Sequence, residues 1–80
     1  MKAKVFVSLK KSVLDPQGKT IHHSLQNLGY RNVEDVRQGK FFEVALDGVS
    51  GEQARQTVEE IARKVLANPV IESYRVEVEG

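Results

Sequence analysis

Val13-Leu14-Asp15-Pro16-Gln17-Gly18-Lys19 is the stretch from which the fold can be read. Asp15 is a strong helix N-cap, because its carboxylate can accept a hydrogen bond from a first-turn N–H that has no partner within the helix. Pro16 falls at the first helical position, where its missing N–H costs nothing and its fixed φ suits a helix. The carboxylate also sits at the positive end of the helix dipole. The stretch is therefore a hinge from strand to helix, and the chain on either side changes period accordingly.

Upstream, residues 2–10 alternate. Val5, Val7 and Leu9 point one way and Lys4, Phe6 and Ser8 the other, the period of a half-buried strand. Downstream, Ile21, Leu25 and Leu28 recur at i, i+4 and i+7, a narrow apolar stripe on a helix. Gly29 follows as a left-handed helix terminator. Gly18, inside the first turn, weakens this helix by about 1 kcal/mol relative to Ala, so the helix must lean on packing. Residues 33–37 read as a short, charged edge strand, with Gln38-Gly39-Lys40 as the turn after it. Residues 41–46 alternate again, Phe42, Val44 and Leu46 against Phe41, Glu43 and Ala45.

Ser50-Gly51-Glu52-Gln53 matches a capping box. The second helix carries Ala54, Val58, Ile61, Ala62, Val65 and Leu66 on one face. Asn68-Pro69 stops it, Asn as a left-handed cap and Pro as a breaker. A last strand over residues 72–79 turns Tyr74, Val76 and Val78 inward. The order is β-α-β-β-α-β in a single domain over residues 1–80. Right-handed crossovers put both helices on the same side of one sheet. The expected class is α+β: a two-layer, ferredoxin-like βαββαβ sandwich, with an antiparallel sheet carrying two helices on one face.

Eighty residues without cysteine exclude disulfides and thiolate metal sites. A chain this small buries roughly 60% of its unfolded surface, so self-association or docking on a larger partner is a natural source of further stability. Twelve basic against eleven acidic residues leave a net charge of +1, no signature of a nucleic-acid or membrane-surface partner. No apolar run approaches the ~20 residues of a membrane span. The first residues lead straight into the strand alternation, with no signal-peptide core, and the cytoplasm is the expected location.

No catalytic set emerges. His22-His23 is the obvious metal suspect, but adjacent helical side chains point about 100° apart and do not share one ion as an i, i+4 pair does. Serines 8, 12, 24, 50 and 73 lack a nucleophile context, and Ser50 is explained by capping. Gly48-Val49-Ser50-Gly51 is too poor in glycine for a phosphate cradle. Catalytic, cofactor-binding and metal residues are therefore expected to be none.

One feature exceeds a bland surface. Helices cover only one side of the sheet, and Phe6, Phe41 and Ala45 fall on the other. Two aromatics on adjacent central strands invite a partner, and these three are the candidates for self-association. Gly39-Lys40-Phe41-Phe42-Glu43-Val44 faintly resembles the aromatic strand of RNA-recognition domains. However, adjacent phenylalanines point to opposite faces, and the charge is too close to neutral.

Three segments together resemble one family. They are Val7-Ser8-Leu9-Lys10-Lys11-Ser12-Val13-Leu14-Asp15-Pro16-Gln17-Gly18, Val36-Arg37-Gln38-Gly39-Lys40, and Leu66-Ala67-Asn68-Pro69-Val70-Ile71-Glu72-Ser73-Tyr74-Arg75. In content and spacing they are similar to PurS, the small subunit of bacterial and archaeal phosphoribosylformylglycinamidine synthase, across essentially the whole chain. The resemblance implies a step of de novo purine synthesis. There, formylglycinamide ribonucleotide, glutamine and ATP become formylglycinamidine ribonucleotide, glutamate, ADP and phosphate. It implies a glutaminase partner, PurQ, and a synthetase partner, PurL, which binds the ATP and magnesium. A PurS-like chain itself would need no cofactor. It would bridge the two partners, assist ammonia transfer between them, and pair with itself as a homodimer or homotetramer. Under the resemblance, Asp15, Pro16, Gln17 and Gly18 in one turn, and Arg37, Gly39 and Lys40 in another, are the candidates for partner contact.

Two other classes share this element order. A small-molecule sensor of the ACT type would want a glycine-bearing ligand loop after the first strand, whereas Gly18 lies beyond Pro16. An acylphosphatase-like enzyme would need an arginine-bearing anion loop there, and residues 10–19 contain no arginine.

Overall fold

The computed structural model describes residues 1–79. Strand β1 (Lys2–Leu9) leads to helix α1 (Pro16–Asn27), strand β2 (Gly39–Ala45), helix α2 (Gly51–Ile61) and strand β3 (Glu72–Glu79). The sheet is antiparallel in the order β2-β1-β3. Val5, in the centre of β1, faces Phe42 on one side and Val76 on the other. Ala3, Val5 and Val7 of β1 join Val58 and Ala62 and Val76 in the core, with Phe42, Val44, Leu46, Leu66 and Val78 packed at its margin.

Both helices start as their caps dictate. Asp15 Oδ1 accepts from the Gly18 amide at 2.9 Å. Ser50 and Gln53 complete a reciprocal capping box, each bond 3.3 Å. Gly29 ends α1 at φ +103°, a value costly for any residue with a Cβ.

The α+β class and the antiparallel sheet with its helices are as the sequence predicts, and three details differ. First, residues 33–37 form no strand. Their backbone polar groups go elsewhere: His22 Nε2 lies 2.7 Å from the Val33 carbonyl oxygen, and Asp35 takes the Val36 amide at 2.9 Å. The segment runs back along α1 instead of pairing in the sheet, so three strands remain.

Second, α2 alone lies on the sheet, over β1 and β3, while α1 makes almost no contact with any strand. The expected second helix on that face is instead an arm projecting from the end of the sheet. The radius of gyration is 16.0 Å and the longest dimension 50 Å, against about 12 Å for the radius of a compact chain of this length.

Third, α2 does not end on a left-handed Asn68, since among the described residues none other than glycine has positive φ. Residues Ala62–Leu66 widen into a π-helical turn, closed by a 2.8 Å bond from the Ala67 amide to the Ala62 carbonyl. The extra residue rotates Val65 out of the apolar face, leaving it 75% exposed. Asn68 serves the next turn, its side chain accepting from the Val70 amide at 3.0 Å. Tyr74, on the inward side of β3, is also exposed.

Candidate functional site

Asp15 is the only buried charged or polar side chain among the described residues. One carboxylate oxygen caps α1, and the other accepts the Gln38 amide at 2.7 Å. These two backbone bonds, that of Gln38 foremost, and then the nearby Arg37 guanidinium hold its carboxyl below the ordinary carboxylate range, against the opposing effect of burial. Arg37 reaches back and donates to the carbonyls of Lys10 at 3.0 Å and Val13 at 2.9 Å. Gln38 Nε2 donates to Gln17 Oε1 at 2.6 Å. The two turns are thereby tied into one knot.

Glycines make the knot possible. A Cβ on Gly18 would collide with the Val36 carbonyl oxygen, and one on Gly39 would lie 2.5 Å from that of Val7. The third quoted segment closes the far side. The Lys10 amide donates to the Ile71 carbonyl at 2.8 Å. Glu72 takes the Asn68 amide at 2.7 Å and pairs with Lys40 at 3.6 Å. Between the three lies a cavity of about 180 Å³, bounded by Ser8, Asp15, Gln17, Gln38, Lys40 and Glu72 among others.

Of the residues singled out for partner contact, Asp15 and Arg37 are thus consumed internally, and Gly18 and Gly39 are needed for close approach. Pro16, Gln17 and Lys40 are exposed, and they present the surface that the others shape. Gln38, not among the candidates, is the residue that completes the knot; its position inside the second quoted segment was the available signal.

Phe6 and Phe41 are directly opposed in register, with ring centroids 5.0 Å apart and tilted by 32°. Arg75 caps the Phe6 ring from the other side at 4.3 Å, a cation–π contact. Ala45 lies elsewhere, opposite Lys2. The rest of this sheet face is charged and paired. Lys4 meets Glu79 at 2.8 Å, Lys2 meets Glu43 at 3.4 Å, and Arg75 meets Glu77. The Lys4–Glu79 bond raises the lysine pKa and lowers that of the glutamate. The aromatic patch is therefore small and ringed by ion pairs.

Among the described residues no group of three or more His, Asp or Glu side chains could hold a metal. No described helix is long and apolar enough to cross a membrane.

The profile of the PurS family, described as phosphoribosylformylglycinamidine (FGAM) synthase, matches residues 2–80. The chain belongs to the PurS family. It is 50% identical over 78 residues to the phosphoribosylformylglycinamidine synthase subunit PurS of Bacillus subtilis, covering 98% of this chain and 92% of that one. The crystal structure of Methanocaldococcus jannaschii PurS superposes with a TM-score of 0.87 at 42% identity, over 98% of this chain and 94% of the other. A chain in the structure of PurLQS from Thermotoga maritima superposes with a TM-score of 0.86 at 30% identity, over 95% and 93%. PurS membership places the chain in purine biosynthesis, as a subunit of phosphoribosylformylglycinamidine synthase. The three segments on which the resemblance rests are those that meet around the knot.

Proposed function

We propose that this chain is a non-catalytic assembly subunit that holds a PurQ-type glutaminase against a PurL-type synthetase in the cytoplasm. The observation that carries this is the convergence of the three segments at one end of the sheet. The buried Asp15 carboxylate, together with the Arg37 guanidinium and the Gln17 and Gln38 side-chain amides bonded around it, fixes the shape of an exposed rim, and none of these groups is aimed at a reacting centre. A scaffold needs rigid contact residues rather than a nucleophile, and it needs no cofactor; ATP and magnesium belong to the synthetase. Seating the two active sites against each other would also keep the ammonia released from glutamine out of water, where it would protonate and lose its lone pair. The chain also pairs with itself in this reading.

The test is glutamine-dependent synthesis of formylglycinamidine ribonucleotide by purified PurL and PurQ, with and without this chain. Ammonia-dependent synthesis by PurL alone is the control. The proposal requires that glutamine-dependent turnover appear only when the chain is added. Turnover indifferent to it, with both partners active, overturns the proposal.

A further inference from the structure

We infer that the cleft beside the knot binds a free α-amino acid with a side-chain carboxamide. Such binding needs neither partner subunit and is separate from the assembly role.

The cleft holds about 180 Å³ between the first turn of α1 and the adjoining ends of the three strands, with Val7 and Leu9 as its aliphatic wall. Lys40 and Glu72 stand 3.6 Å apart at its edge. A charge-assisted hydrogen bond is shorter, about 2.7–2.9 Å, so the two attract without being bonded. Glu72 Oε1 is committed to the Asn68 amide, and its side chain is only 12% exposed. Glu72 Oε2 and the Lys40 ammonium have no closer protein partner among the described residues. The Gln17 and Gln38 carboxamides supply the rest. Gln38 Nε2 donates to Gln17 Oε1, which leaves Gln17 Nε2 as an open donor and Gln38 Oε1 as an open acceptor. A third carboxamide, with its own acceptor and donor, is their complement.

Charge selects the ligand class. Lys40 and Arg37 are positive, Asp15 and Glu72 negative, so the cleft is balanced and favours neither a phosphate nor a metal ion. Both Asp15 oxygens already accept backbone amides, and Arg37 is spent on carbonyls. The open ionic groups are then one ammonium and one carboxylate, the counterparts of a zwitterion. Size agrees. An enclosed cavity of about 150 Å³ admits benzene, so this cleft suits one amino acid and not a nucleotide. Its walls come from α1, β2 and β3, so an occupant ties the root of the arm to the sheet.

The test is a titration of the isotope-labelled chain alone with L-glutamine, followed by backbone amide chemical shifts. Saturable shifts at Gln38, Gly39, Lys40 and Glu72 with a Kd of about 1 mM or below are expected. L-glutamate, which lacks the amide, and glutaramate, which lacks the α-amino group, should each bind about tenfold more weakly. Lys40→Met and Gln17→Ala, both at exposed positions, should weaken L-glutamine about tenfold while shifts elsewhere show the fold retained. No saturable shift by about 10 mM, an equal response to L-glutamate, or affinity unchanged in both variants overturns the inference. Neither PurL nor PurQ is in the tube, so failure here leaves the assembly role standing. A chain that binds L-glutamine but does not support turnover does the reverse.

Discussion

The Gln38 amide donates to Asp15 Oδ2 at 2.7 Å across 23 positions of sequence. The same carboxylate caps α1, so one side chain both starts the helix and sets where it leaves the sheet. Replacing it by Asn keeps one acceptor oxygen but turns an NH2 group towards a backbone donor. Asp15→Asn is expected to lower the melting temperature and to speed hydrogen exchange at the Gly18 or Gln38 amide. Unchanged exchange at both would show that the knot contributes nothing to the native state.

The same carboxylate gives a pH dependence of known sign. Its folded pKa lies below the ordinary value of 3.8, so its stabilisation is complete above that value. It is lost as pH falls through the lowered folded pKa. The stability difference between wild type and Asp15→Asn should therefore be constant near neutrality and shrink in acid. A difference that grew in acid would contradict the assignment.

Two glycines should respond in opposite ways. Gly39→Ala places a methyl 2.5 Å from the Val7 carbonyl oxygen and is expected to destabilise by roughly 1–3 kcal/mol. Gly51, at the start of α2, has nothing within 4 Å of where an added Cβ would lie, so Gly51→Ala is expected to be neutral or stabilising by about 0.5 kcal/mol. Urea titration of both variants settles the comparison.

The π-helical turn makes a further distinction between two valines seven positions apart on the same helical run. Val58 is fully buried and Val65 is 75% exposed. Val58→Ala should cost about 2 kcal/mol, and Val65→Ala should stay within about 0.5 kcal/mol. Equal losses would mean that the helix continues in regular α geometry.

What was legible in the sequence was local. Asp15-Pro16 and Ser50 with Gln53 announced two helix starts because a cap and its target lie within one turn. The inward sides of β1 and β2 followed from alternation. Residues 33–37 misled because charge and β-branching suit an edge strand equally well, and only His22 and Asp35, acting through side chains, divert their backbone groups. Val65 misled because periodicity assumes 3.6 residues per turn, and one extra residue shifts the phase. At the candidate site, both turns could be named from sequence, but Asp15 and Arg37 looked like contact residues. That they are spent inside the knot depends on distances across more than twenty positions, which no local pattern encodes.

The arm is anchored at its root, and there is little along its length to steady it against the sheet. It therefore behaves as a lever. Over about 18 Å of helix, a tilt of about 5° at the root carries the tip through about 1.6 Å. A small change in how Asp15, Gly18 and Gln38 fit together would reach whatever meets Leu28 as a displacement large enough to break a packed contact. Residues that touch no partner would then govern how well one is gripped.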